Sequence, residues 1–349
     1  MRLERRAEVP LVLAVSAPIL AVVVALALTG ILIALAGAPV LEAYKRLVIG
    51  AFGSRLSVTE TLTRTVPLIL TGLAAAVAFR AKLWNIGAEG QFYVGALTAA
   101  ALGSQAGLAL PGFALIPVLM AAGAMAGMVF LLVPLGMRLR FGVDEVVTTL
   151  LLNFVALLFV SMMIEGPLRD PLAFGWPQSA AVVADATLPK LLARSRLHVG
   201  LLIAIAAALA IWFVQARTRF GMESRAAGLN PPAAAFAGVS IRGVLVRVAC
   251  LSGGLAGLAG VIEVIGVKRY VTTDLSPGFG YTGIVVAMLA GLHPAGVIVA
   301  ALFVATMFVG ADGMSRALGV PSFIADVTVS LSLLTMLVAL LFTSYRIRR

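Results

Sequence analysis

The sequence predicts an all-α, polytopic membrane protein with about ten transmembrane helices, some short or broken, and both termini cytoplasmic. Three observations carry this. Of the 349 residues, 61% are hydrophobic and only 12% are charged, whereas soluble domains are nearer half apolar and a quarter charged. Several apolar runs exceed the ~18 residues that mark a bilayer-spanning helix. The basic residues fall in short clusters between those runs, as membrane orientation requires.

That scatter also answers the net charge of +11. A basic stripe would point to nucleic acid; short clusters at the ends of apolar runs do not, so no nucleic-acid partner is expected. The single Cys250 excludes an intramolecular disulfide and a cysteine metal cluster, and two histidines, His198 and His293, make a His-rich metal site an unlikely design. The stretch "MRLERRAEVP" followed by apolar sequence resembles a leader. The run over 11–36 is about twice too long for a signal core and reads as the first span.

The apolar segments predict spans over 11–36, 61–79, 88–106, 112–136, 145–165, 198–216, 243–266, 280–292, 294–311 and 322–343. His293-Pro294 divides the eighth from the ninth, because proline disfavours helix in the preceding residue and lacks a donor; a single kinked or re-entrant element over 280–311 is the alternative. Ten spans put both basic ends on one side, and a cytoplasmic assignment leaves just over half of the 26 basic residues there, in line with the positive-inside rule. The external side receives the long loop, about 166–197, whose Pro167, Pro171, Pro177 and Pro189 predict turns. Nothing reads as a linker, so residues 1–349 form a single transmembrane domain. "NIGAEGQFYVGAL" and "PGFGYTGIVVAML" both set Gly and polar residues before an apolar run, an echo of the paired broken segments of transporters.

The sequence contains no catalytic constellation. It lacks a Gly-x-x-x-x-Gly-Lys-Ser/Thr phosphate loop and a His-Glu-x-x-His helix. Asp144 and Glu145 diverge by about 100° on a helix and suit its positive end. Polar residues within spans say more, since an ionisable group at a helix centre costs about 2.5–3.5 kcal/mol on insertion scales. Glu263 and Asp326 lie near external span ends. Asn153 lies mid-span in "TTLLLNFVALL", where an amide needs a partner or a solute. In "RAKLWNIGAEGQFYVGAL", Asn85, Glu89 and Gln91 form an irregular entry to the third span, with Glu89 near the helix start, where its charge is favoured.

Two further motifs are structural in character. "SGGLAGLAG" sets Gly253, Gly257 and Gly260 on a small-residue face that admits close helix packing. "RFGMESRAAGLNPPAAAFAGVSIRG" lies in the cytoplasmic segment of about 217–242. There Asn230-Pro231 reads as an N-cap with proline in the first turn, Ala233 to Ala237 as a short helix, Gly238 as its left-handed stop and Gly228 as the end of a preceding turn. Such punctuation suits a surface that docks on another protein.

These stretches, with "DEVVTTLLLNFVALLFV" leading to "GPLRDP" and "GFGYTGIVVAMLAGLHPAG", carry a resemblance. From about residue 60 onward the chain resembles the permease subunits of bacterial ABC importers, in the nucleoside branch of the ribose and branched-chain amino-acid permease family. The resemblance implies a multi-pass inner-membrane subunit forming half of a nucleoside path. A separate ATPase subunit would bind ATP, so this chain has no cofactor of its own. A second, related permease and an external substrate-binding protein would complete the assembly. Gly221, Arg225, Gly228, Asn230, Pro231, Ala233, Ala234 and Gly238 match the segment that couples to the ATPase. Asn85, Glu89, Gln91, Asn153, Phe279 and Tyr281 are the candidates for the substrate path, by stacking and amide contacts. A simple-sugar or amino-acid permease is the alternative. Another is an ion-coupled secondary transporter using Glu89, Glu263 or Asp326. A lipid-substrate enzyme would need a carboxylate cluster at one interface, which the sequence does not display.

Overall fold

The computed structural model describes residues 2–5, 11–105, 107–108, 110–319, 321 and 323–348. Each predicted segment falls on a helix. These are α1 (Leu11–Leu35), α3 (Arg55–Arg80), α4 (Ala88–Gly103), α5 (Gly112–Phe141), α6 (Glu145–Glu165), α7 (Gly200–Arg217), α10 (Ile241–Glu263), α11 (Phe279–Leu289), α12 (Pro294–Leu318) and α13 (Ile324–Ser344). Three shorter helices, α2 (Val40–Phe52), α8 (Arg219–Leu229) and α9 (Pro231–Phe236), join them. Strands β1 (Arg2–Arg5) and β2 (Tyr345–Arg348) pair antiparallel, so the two chain ends share one face.

Helix is not the same as span, and the ten segments are not all of crossing length. Among the described residues six helices are long and apolar enough to cross a membrane, or seven if the bent pair α1–α2 is one crossing. At 1.5 Å per residue, α4 is about 24 Å long and α11 about 16 Å, against an apolar core of about 30 Å. They are partial helices. α11 and α12 are also separate elements, parted at Ala290–His293; the His293 Nδ1 accepts from the Gly296 N–H at 3.4 Å as the α12 cap. α2 was not foreseen. "VLEAYKRLVIGAF" is too short and too charged for a span, yet amphipathic enough to lie along α12, turned 115° from α1.

Burial sorts the long helices. The apolar windows of α3 and α10 are 89% and 83% buried, whereas those of α5, α6 and α7 are 22–28% buried. So α3 and α10 form the centre, and the others present Val129, Val133, Phe154 and Leu158 outward. Small residues make the centre possible. A Cβ on Gly253 or Gly257 would collide with backbone carbonyls of Gly127 and Gly123 on α5, and one on Gly260 with the Phe92 carbonyl on α4. The three glycines therefore seat α10 between α4 and α5, with backbones in contact.

Segment 166–197 is built from turns and one short 3-10 turn, Ala184–Ala186. It folds over the end of α10: Leu188 N–H donates to Ile265 O at 2.8 Å, Val182 N–H to Arg269 O at 2.8 Å and Ser179 N–H to Val271 O at 2.9 Å. His198 closes it, buried, its Nδ1 accepting from Gly200 N–H at 3.0 Å. Burial pushes its imidazole down to about 4, so it is neutral and structural. α8 and α9 lie at the other end of α7 and α10. The molecule thus has a loop face and a coupling face.

Gly257→Leu is expected to separate α10 from α5 and to destabilise the fold by about 1–3 kcal/mol, the usual cost of overpacking. A lowered unfolding temperature and a broadened gel-filtration peak in detergent would report it, with Gly136→Ala, which faces open space, as the neutral control.

Candidate functional site

The two segments that echo each other in sequence meet in space. α4 and α11 both begin inside the bundle and leave in opposite directions. α4 ends at Ser104, which bridges to Val182 on the loop face. α11 ends at a turn that shares a cavity of about 340 Å³ with Arg80, Arg225 and Gly228 on the coupling face. At the junction the backbones touch, for a Cβ on Gly280 would collide with the Glu89 backbone.

A helix start leaves N–H groups without intrahelical partners, and an apolar bundle has no bulk water to serve them. Polar side chains do so instead. Asn85 Oδ1 accepts from Gly87 N–H at 3.0 Å, and Asn153 Oδ1 from Gly90 N–H at 2.8 Å. Ser276 Oγ accepts from Phe279 N–H at 2.8 Å, and Glu89 Oε2 from Gly280 N–H at 2.6 Å. Glu89 does stand in the first turn of α4, as expected. Its bonded donor, however, belongs to α11, 191 positions away. One carboxylate therefore lies at two positive helix ends at once.

The amides are equally committed. Asn85 and Gln91 exchange two hydrogen bonds, 3.0 and 2.8 Å, and Asn85 also donates to Ser252 Oγ at 3.0 Å. Ser252 passes the chain on to Ala74 O in α3 at 2.7 Å. Asn153 Nδ2 donates to Ile86 O and to Tyr281 Oη, both at 3.0 Å. Thr71 Oγ1 donates to Phe279 O at 2.9 Å. Asn153 lies about 12 Å along α6, so the network sits well inside the bundle.

The structure thus brings all six sequence-predicted path residues, Asn85, Glu89, Gln91, Asn153, Phe279 and Tyr281, into one cluster. Their availability differs. Asn85, Gln91 and Asn153 are fully buried and brace the broken backbone, and Phe279 packs on Phe92 at 5.9 Å between ring centroids. Tyr281 is 37% exposed. Ser276, Thr71 and Ser252 were missed: Thr71 and Ser252 are each one small hydroxyl in an apolar run, and Ser276 is one of several polar residues in a loop, with no local signal to single it out.

On the coupling face, Thr218 caps α8 and Asn230 caps α9, accepting from Ala233 N–H at 3.2 Å, with Pro231 in the first turn. Gly238 has φ +85° and stops the helix. Gly228 does not end a turn. It lies within α8, where a Cβ would strike the Arg80 carbonyl, so it seats α8 on the end of α3; Gly221 lets α8 fold back against Gln215. Ala234 is buried, while Arg225, Pro231 and Ala233 are exposed. The missed residue is Phe236, 97% exposed at the tip.

On the loop face, Glu60, Glu263, Asp274 and Asp312 line one polar cavity with Arg64, Arg196, Lys268 and Phe279. This carboxylate cluster is assembled from four separate segments and has no sequence signature. Asp326 is elsewhere, exposed in the first turn of α13.

A bundle of apolar helices enclosing two opposed partial helices with capped, buried starts is the architecture of a membrane transport subunit. Residues 57–342 match the family described as branched-chain amino acid transport system / permease component. The chain is similar to the glucose ABC transporter permease protein of Haloferax volcanii, 35% identical with 99% of this chain and 93% of that one covered. It is similar to the guanosine ABC transporter permease protein of Bacillus subtilis, 34% identical over 91% of each chain. It is also similar to a nucleoside ABC transporter permease protein of Lactococcus lactis, 33% identical over 90% and 88%. The chain belongs to this permease family; it is an integral membrane protein and a permease subunit of an ABC transporter.

Asn153→Leu removes the partner of Gly90 N–H, Ile86 O and Tyr281 Oη. Each stranded group costs about 1–3 kcal/mol, so this variant should lose several degrees of thermal stability in detergent, while Thr148→Val, on the exposed side of the same helix, should lose almost none.

Proposed function

We propose that this chain forms half of the translocation path of an ATP-driven importer for nucleosides. A separate cytoplasmic ATPase docks on α8–α9, a second, related permease supplies the other half, and an external binding protein delivers the solute. The loop face is external, the coupling face and both termini are cytoplasmic, and the ten helical segments, two of them partial, make up the membrane domain.

The single observation that carries this reading is the junction of α4 and α11. It joins the two faces: α8 is seated on the end of α3 at Gly228 and Arg80, α3 packs along α11 at Thr71 and Gly283, and α11 is tied to α4 through Glu89. The amides there are consumed by the backbone, so the path itself offers aromatic faces, Tyr281 above all, and little charge. That suits a neutral, flat-based solute whose affinity is supplied by an external protein. The nucleoside and guanosine permeases among the relatives support the substrate. A simple sugar is the second reading, favoured by the glucose permease that matches this chain over nearly its whole length.

Reconstituted with its ATPase and binding protein in liposomes, the complex is expected to take up labelled guanosine only when ATP is supplied inside the ATPase-accessible compartment. Uptake by this chain alone that survives ATP depletion and disappears with an uncoupler would sink the importer reading. Phe236→Asp should lower ATP-driven uptake at least about tenfold, equivalent to about 1.4 kcal/mol of coupling, without changing ligand affinity of the external binding protein. Glu89→Gln keeps an acceptor for Gly280 N–H, so uptake should stay within about twofold. A proton carrier at that position would lose transport altogether.

A further inference from the structure

Below the loop face, the ends of α3, α10 and α12 and the segment before α11 surround a cavity of about 260 Å³. Its ionic groups are mostly spoken for. Arg196 pairs with Glu60 at 3.2 Å, and Arg64 with Asp312 at 2.9 Å and Glu60 at 3.6 Å. Asp274 is solvent-exposed and Lys268 half-buried, and among the described residues neither is in an ion pair. Glu263 is different. It is the last residue of α10, only 7% exposed, and lines the cavity, yet among the described residues no hydrogen bond or ion pair reaches its carboxylate. Arg196, Lys268 and Arg64 are near enough to act on it through space without being within 4.0 Å. Buried polar groups in folded proteins are nearly always bonded, and an isolated buried carboxylate is costly. This one asks for a ligand that donates.

The surroundings narrow the ligand. A carboxylate has two acceptor oxygens and no donor when ionised, and two neighbouring hydroxyls on one ring meet both. Four acidic and three basic side chains line the cavity, so the two signs nearly balance, which disfavours a strongly charged ligand. The volume is near the small end of small-molecule sites, about 300–1,000 Å³, and fits a monosaccharide-sized ring. Phe279 gives the same cavity an apolar wall and connects it to the α4–α11 junction.

We propose that Glu263 is a substrate-binding residue at a waystation between the loop face and the junction, where its carboxylate accepts hydrogen bonds from the vicinal hydroxyls of the sugar ring of the transported solute. This rests on the importer reading above. The chemistry is common to the ribose of a nucleoside and to a free simple sugar.

Equilibrium binding to the detergent-purified complex of both permeases and ATPase, without the external binding protein, isolates this site. With millimolar titrations, wild-type complex should bind guanosine at least about tenfold more tightly than 2′,3′-dideoxyguanosine, which can make neither of the two hydrogen bonds. Glu263→Ala should weaken guanosine to the level of the dideoxy analogue and abolish the discrimination. Glu263→Gln, which keeps the side-chain volume and one acceptor, should fall between. Equal binding of both nucleosides by wild type, no binding of guanosine or of glucose, or discrimination retained in Glu263→Ala would overturn the proposal; the wild-type comparison does so even where a variant fails to assemble. ATP-driven guanosine uptake alongside such a result would leave the importer reading standing. Glucose bound in place of guanosine, with the same dependence on Glu263, would overturn the nucleoside reading and support the waystation.

Discussion

A backbone that stops being helical inside an apolar bundle must find hydrogen bonds for the groups it exposes. The rest of this structure depends on that constraint. α4 and α11 begin where no bulk solvent reaches, and each start presents free N–H groups. Asn85, Asn153, Ser276 and Glu89 answer them with bonds of 2.6–3.0 Å. The partners come from the segment before α4, from α4 and α6, and from the segment before α11, so the broken elements cannot be moved independently. Glu89 is the sharpest case. Its carboxyl stands in the first turn of α4 and accepts from the start of α11, and so holds those starts together.

Close packing of backbone is the second condition. The capping side chains reach across only because α10 lies between α4 and α5 with no side chains in the way at Gly253, Gly257 and Gly260. Ser252, beside that glycine face, carries the Asn85 network to α3. Exposed ion pairs such as Arg46–Glu42 add little, because solvent screens them and side-chain entropy opposes them. Small residues and satisfied amides make the centre of this molecule, and both are compatible with helices that shift as units.

Much of this was legible in the sequence, and the limits have physical causes. Apolar run length placed the ten main helices, and local chemistry placed caps, as at Asn230-Pro231 and Gly238. Polar residues inside apolar runs singled out Asn85, Glu89, Gln91 and Asn153, which do share one site. Hydropathy could not tell a helix from a crossing, so α4 and α11 were counted as spans. The amphipathic α2 was invisible to a search for apolar runs. Gly228 looked like a turn residue because its reason, contact with the Arg80 carbonyl, lies 148 positions away in the chain (228 minus 80). The loop-face cavity around Glu263 draws on five separate segments, and no local pattern encodes such a site.

In the proposed importer, the α4–α11 junction is the moving part of the path. Labelling of one engineered cysteine tests it most directly. In a Cys250→Ser background, Tyr281→Cys places a thiol at the one half-exposed ring of the junction, and a membrane-impermeant thiol reagent can be applied from either side of sealed vesicles. The account predicts that the thiol reacts from one side in the nucleotide-free complex and from the opposite side, or not at all, once the ATPase is trapped with ATP. Reaction from the same side at the same rate in both states would contradict it.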